Sequence, residues 1–245
     1  MSNEILFVLV LGVFLIAILY SSVGHAGASG YIAVMALLSL APEIIKPTAL
    51  TLNILVATIA TLQFYKAGHF SWSLFWPFAI LAVPFAYIGG HIHISTQVFK
   101  ILLGLVLLYS SFRFSFQPKQ LPEVRDPPKS QALISGAGIG LLSGLTGTGG
   151  GIFLTPLLFF MGWADAKRAA AVSALFVFVN SIAGLLGNIS ATKSLPPFLI
   201  HLLAAVALGG SLGSYFGSRR IQSTLIKRLL GIVLLIAGLK LVLTS

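Results

Sequence analysis

Long apolar runs separated by short polar gaps dominate the chain. They fall at 5–22, 28–41, 48–65, 72–92, 97–115, 131–145, 150–162, 169–187, 196–217 and 224–243, ten segments in all. A helix needs about 20 apolar residues to cross the hydrocarbon of a bilayer, and most of the runs come near that length. The pattern predicts an all-α polytopic membrane protein. Two runs are short: 28–41 and 150–162 hold 14 and 13 residues, and each follows a glycine cluster. That combination predicts a broken or re-entrant helix pair in each half. Five crossings in each half, or three crossings plus a hairpin in each half, satisfy the same pattern. Pro77, Pro84, Pro156, Pro196 and Pro197 are read as lying in membrane helices, where neighbours satisfy the backbone groups that proline frees. The first run lacks a basic leader and a small-residue cleavage site, so it is expected to be a membrane element rather than a removed signal peptide.

Composition sharpens this picture. Of 245 residues, 57% are hydrophobic and 8% charged, where a soluble domain carries about 25% charge. A water-soluble enzyme is thereby excluded. The net charge of +10 comes from 15 basic and 5 acidic residues. It sits in the gaps, so it reads as membrane orientation, and no nucleic-acid partner is expected. Numbering the gaps along the chain, the odd ones hold Lys66, Arg113, Lys119, Arg125, Lys129, Lys167, Arg168, Arg219, Arg220, Lys227 and Arg228. The even gaps and the termini hold Lys46, Lys100, Lys193 and Lys240. The positive-inside bias then puts the odd gaps in the cytoplasm and both termini outside. With no cysteine in the chain, thiolate chemistry is closed, and no metal, catalytic residue or cofactor is expected.

The stretch 117–130, carrying Pro122, Pro127 and Pro128, is the expected cytoplasmic linker between an N-terminal repeat, 1–116, and a C-terminal repeat, 131–245. An internal match supports the division. VGHAGASGYIAVMALL, beginning at Val23, recurs 120 residues later as SGLTGTGGGIFLTPLLFF, with Gly24, Gly27 and Gly30 facing Gly144, Gly147 and Gly150. KILLGLVLLYSSFRF from Lys100 is matched by KRLLGIVLLIAGLKL from Lys227. Each half holds an odd number of crossings, so the halves are expected to be inverted repeats, an arrangement that exposes one central site alternately to either side.

The glycine clusters admit two readings. Small residues let membrane helices pack closely. Alternatively, a helix beginning after SGLTGTGGG presents free backbone N–H groups that face an anion without a buried lysine or arginine. Thr146 and Thr148 join that cluster, and His25 and Ser29 join its counterpart. No Lys-Ser or Lys-Thr follows, so these are not nucleotide loops.

GLLSGLTGTGGGIFLTPLLFFMG, followed by AKRAAAVSALFVFVNSIAGLLGN, LGGSLGSYFGSRR and the terminal KRLLGIVLLIAGLKLVL, resembles the TauE/SafE family of sulfite exporters, the TSUP permeases, over essentially the whole chain. The resemblance implies a secondary transporter of the bacterial inner membrane. The cargo that the resemblance implies is a small sulfur-containing anion such as sulfite, thiosulfate or an organosulfonate, with protons as a possible coupling ion. The first half departs from the family's fuller glycine pattern by reading GHAGASGY. A passive anion channel and a non-transporting accessory protein are the alternatives, and a homo-oligomer is compatible with the ample lipid-facing surface.

The expected substrate-binding set is Gly27, Ser29, Gly30, Asn53, Thr146, Gly147, Thr148, Gly149, Gly150, Gly151 and Asn180. Asn53 and Asn180 are amides within apolar runs, and each must find a helix partner, water or solute. Thr51 and Ser173 occupy comparable places, with a bond to the preceding helical turn as the competing reading. His25 and His201 are the candidate proton carriers. His91 and His93 are expected at an interface, as are Trp72, Trp76 and Trp163. Lys167 and Arg168 are read either as anchors or as a vestibule that draws anions in. No acidic side chain is placed deep in a run, which excludes a relay of buried carboxylates.

Overall fold

The computed structural model describes residues 3–22, 24–92, 95–115, 124–189 and 195–219, with 235, 236, 238, 239, 242 and 243 of the last apolar run. Val23, His93, the first part of the linker, and Lys119, Lys193, Arg220, Lys227, Arg228 and Lys240 lie outside the described residues. So does most of the run 224–243.

Nine helices form among the described residues: α1 (Asn3–Ser21), α2 (Ala28–Leu37), α3 (Pro42–Lys66), α4 (Trp72–His91), α5 (Thr96–Ser115), α6 (Lys129–Thr146), α7 (Gly151–Phe160), α8 (Ala166–Gly187) and α9 (Leu199–Arg219). Five of them, α1, α3, α4, α8 and α9, are long and apolar enough to cross a membrane. Side chains such as Phe7, Leu62, Ile134 and Leu208 are exposed on the outer surface, where only lipid can accept them. The two short runs form ten-residue helices, α2 and α7. Each is about 15 Å long, half the hydrocarbon thickness.

Local chemistry sets several boundaries. Pro42 begins α3, where its missing N–H costs nothing, so the helix starts earlier than the apolar run suggests and takes in Lys46 and Pro47. Gly147 ends α6 in the left-handed conformation, its N–H returning to the Ser143 carbonyl at 2.8 Å. Asp165 caps α8, accepting from the backbone N–H groups of Lys167 and Arg168 at 2.9 Å each. Pro196 and Pro197 precede α9 rather than lying within it, a correction that follows from the N–H groups they lack.

The most buried spans, α3 and α8, pack against each other at the centre. Around them α4 lies along α6 and α8, and α9 lies along α1 and α3, while α2 rests on α3 and α7 on α8. Exchanging α1 through α4 for α6 through α9 leaves this set of pairings unchanged, which suggests internal symmetry. Two glycine stripes make the outer pairings close. Gly136, Gly140 and Gly144 of α6 bring their Cα atoms against the carbonyls of Phe78, Ala82 and Ala86 on α4. Gly209, Gly213 and Gly217 of α9 do the same against Phe14, Ile18 and Ser22. A methyl group at any of these would strike backbone rather than a movable side chain. Gly104 of α5 and Gly238 of the last run also approach each other's carbonyls, with the side chains of Val242 and Leu108 nearest to them.

Trp163 does not sit at an interface. It is buried against Phe78, ring centroids 5.9 Å apart, because the turn between α7 and α8 folds inward onto α4. Trp72 and Trp76 are exposed, as anchors would be.

Candidate functional site

The second glycine element is a four-residue bend between α6 and α7. Gly147, Gly149 and Gly150 take φ of 77°, 76° and 83°, a region that side chains rarely adopt. Gly149 is also enclosed: a Cβ there would lie 2.6 Å from Asn53 Nδ2, 2.7 Å from Val177 Cγ1 and 3.0 Å from Ser181 Oγ. Asn53, halfway along α3, donates from Nδ2 to the Thr148 carbonyl and to Ser181 Oγ, both at 3.4 Å. Its Oδ1 is buried without a hydrogen-bond partner among the described residues. Thr146 donates to the Leu142 carbonyl at 2.7 Å, and the hydroxyls of Thr146 and Thr148 lie 2.9 Å apart.

The first element, between α1 and α2, is built from side chains. Gly27 caps α2 at φ 105°, and Tyr31 folds back over it to donate to the Ala26 carbonyl at 2.6 Å. Ser29 donates to the Tyr20 hydroxyl at 2.9 Å. The Tyr20 and His25 rings meet edge to face, 6.1 Å apart, and both residues are buried. Gly24 packs on the backbone of Ala170 in α8. The helix starts put Gly27 opposite Gly150, a spacing of 123 rather than the 120 of the sequence match.

Both elements open onto one small cavity of about 10 Å3, room for roughly one water. Tyr20 and the stretch from His25 to Ser29 supply one wall. Thr148, Gly151, Ile152 and Val177 supply the other. The first turns of α2 and α7 therefore converge here with their free N–H groups.

Of the predicted residues, His25, Gly27, Ser29, Thr148 and Gly151 line this cavity. Gly147, Gly149 and Gly150 form the bend behind it, and Asn53 and Thr146 brace that bend. Gly30 instead faces Ile16 and Tyr20 of α1. Asn180 is buried but returns its amide to the Phe176 carbonyl of its own helix at 2.8 Å, and its Oδ1 has no partner among the described residues. Thr51 likewise bonds back, to the Pro47 carbonyl. Ser173 accepts from Thr155 at 2.7 Å, joining α8 to α7. His201 is exposed on α9 rather than deep in the protein, because its position faces outward from the α1 contact. Arg168 donates to Ser71 Oγ at 2.8 Å, tying α8 to the start of α4, and Lys167 is exposed. His91 is exposed as well.

Sequence reasoning missed Tyr20, Val177, Ser181 and Lys46. Tyr20 and Val177 look like ordinary members of apolar runs, and nothing in the pattern separates them from packing residues. Lys46 is the sharper correction. Its place in a gap predicts a solvated side chain, yet it is buried, 8% exposed, with its Cγ against Gly147. A buried lysine therefore does stand beside the second glycine element.

Comparison with known proteins bears on this arrangement. The family described as Sulfite exporter TauE/SafE matches residues 9–241. "Probable membrane transporter protein y4hK" of Sinorhizobium fredii is 43% identical over 238 residues, covering 95% of this chain and 96% of that protein. "Probable membrane transporter protein YunE" of Bacillus subtilis is 22% identical over 222 residues, 82% of this chain and 81% of that protein. No solved structure matches. With nearly its whole length matched, the chain belongs to the sulfite exporter TauE/SafE family and is a polytopic membrane transporter rather than an enzyme.

Proposed function

We propose that the chain is a secondary carrier, an exporter, of small sulfur-containing anions of the sulfite, thiosulfate or organosulfonate class. It works by alternating access of two inverted halves, 1–116 and 131–245, with both termini extracytoplasmic. The observation that carries the reading is the convergence of both glycine elements on one cavity about halfway along α3 and α8.

The chemistry follows from the elements. Backbone N–H groups at the starts of α2 and α7 offer uncharged donors and the positive ends of two helix dipoles to an oxyanion. Ser29 and Thr148 add hydroxyls. Asn53 holds the bend that presents Gly149 and Gly150. The cavity of about 10 Å3 is too small for a four-atom oxyanion, so loading requires the elements to separate. Because each element packs on a helix of the other half, rocking of the halves separates them and opens the site to one side at a time. An inside-negative potential favours export by about 2.3 kcal/mol per charge per 100 mV. His25, in the cavity wall, is the titratable group placed to carry a coupled proton. Protonation of the anion itself is the other route.

Flux in proteoliposomes tests the reading. Sulfite, thiosulfate and sulfoacetate are compared across an imposed pH gradient while internal pH is followed. Saturable flux of one of them with a matching proton signal is expected. Correctly inserted protein that moves none of the three would overturn the proposal, and flux that does not saturate would replace the carrier with a channel.

A further inference from the structure

Lys46 is a charged residue that the carrier mechanism above does not use. It lies one turn inside the exposed start of α3, where Glu43 faces out, yet its own side chain is buried. Its only described hydrogen bond runs from Nζ to the Gly90 carbonyl at 3.4 Å. That bond is long for an ammonium donor. No ion pair joins Lys46 to an acidic side chain among the described residues. An ammonium carries three donors, and burying it without a counter-charge is costly.

The surroundings explain part of its stability. Gly90 lies in the last turn of α4, and the same spot is reached by the last turns of α6 and α8. Gly144 lies against Ala86 and Gly90, and Gly184 against Gly90. Three helix C-termini thus converge near the ammonium, and their dipole ends are negative. Those are partial charges. They hold the lysine in place while leaving its remaining donors for an anion.

Its position gives that capacity a direction. Lys46 and Asn53 are seven residues apart, on one face of α3 and about 10 Å along it. The second glycine element lies along this face, with Gly147 on Lys46 and Gly149 on Asn53. The face runs from the α3 start, through Lys46, to the bend behind the cavity.

We propose that Lys46 is an anion-binding residue at the outer end of the route to the glycine elements. Its ammonium exchanges the Gly90 carbonyl for an oxygen of the transported oxyanion as that anion moves outward from the Asn53 and Gly149 region along Gly147. This inference rests on the anion-carrier reading. It adds a charged, substrate-touching residue to a site otherwise built from neutral donors.

The test uses the full chain in proteoliposomes, with initial rates of sulfite flux against concentration for wild type, K46R, K46Q and K46M. Melting temperatures in detergent are measured in parallel. Removing the charge in K46Q and K46M should raise KM about tenfold or more, while maximal rate changes by less than about threefold. K46R should stay within about threefold of wild type in KM, because it keeps the charge. Glutamine keeps a donor for the Gly90 carbonyl, so K46Q serves as the decisive variant should K46M fail to fold. A KM in K46Q equal to that of wild type overturns the inference and leaves the carrier reading standing. A fall in melting temperature and maximal rate with KM unchanged also overturns it, reducing Lys46 to a helix-end cap. Wild-type protein that carries no anion overturns both.

Discussion

The first glycine element is held by its own side chains, whereas the second is held by its neighbours'. In the first, Tyr31 closes over Gly27, and Ser29 and His25 lean on Tyr20. In the second, Gly147, Gly149 and Gly150 carry no side chains, and Asn53, Val177, Ser181 and Phe176 from α3 and α8 fill the space against them. The two bends serve the same cavity, so what is shared is the backbone path and what differs is the chemistry along it. One wall carries the Tyr20 and Ser29 hydroxyls and an imidazole, and the other carries the Thr148 hydroxyl beside glycine and the apolar Ile152 and Val177. Each also depends on the far side of the chain: Gly24 packs on Ala170, and Gly149 packs on Asn53. Neither half contains the whole arrangement.

The contrast breaks most visibly at Gly149. Alanine there meets Asn53 and Val177 and must hold a φ of 76°. Its expected cost is about 3 kcal/mol of stability, seen as a lower melting temperature, together with near-complete loss of flux. Wild-type flux in G149A would show that the bend has freedom the packing denies it. Next, N53A should lower flux about tenfold, because the bend loses its brace, whereas N180A should stay within about threefold. Equal losses in a paired flux assay would erase the distinction between an amide spent on the other half and one spent on its own helix.

A smaller effect belongs to the first element. Y31F removes the donor to the Ala26 carbonyl and should cost about 1 kcal/mol by thermal melting, with the ring still covering Gly27. No change in melting would mean that packing alone holds that bend. The smallest effect is expected at Gly138, in α6 but off its glycine stripe, where an added Cβ meets nothing within 4 Å. G138A should be neutral or stabilising by up to about 1 kcal/mol. A clear loss would place an unrecognised neighbour on that face of α6.

Much of the architecture is legible in the apolar runs. Among the described residues nine helices fall on the apolar runs, and the two short helices follow the two glycine clusters. The period and length of a membrane helix are strong signals, because lipid tolerates neither unpaired backbone nor scattered charge. Residues named for the glycine elements, among them His25, Ser29, Thr148 and Gly151, do come together at one cavity. Asn53 and Asn180 read alike in the sequence, yet Asn53 is the amide that reaches the other half. Both are amides in apolar runs, and only the packing of α3 against the bend separates them. His201 and Trp163 went astray for the same reason. Each sits near a run boundary, and the side its helix or turn presents is decided by the partner element.

What the sequence determined by itself was the solvent, the helical class, the two glycine breaks and the family, since each is written in local composition and spacing. Tertiary structure decided which α3 face meets the second bend, that Tyr20 closes the cavity, and that Lys46 is buried between helix ends rather than solvated in a gap. These are contacts between residues as far apart as Asn53 and Ser181. Their energy depends on distance and enclosure in space, which no local window along the chain contains.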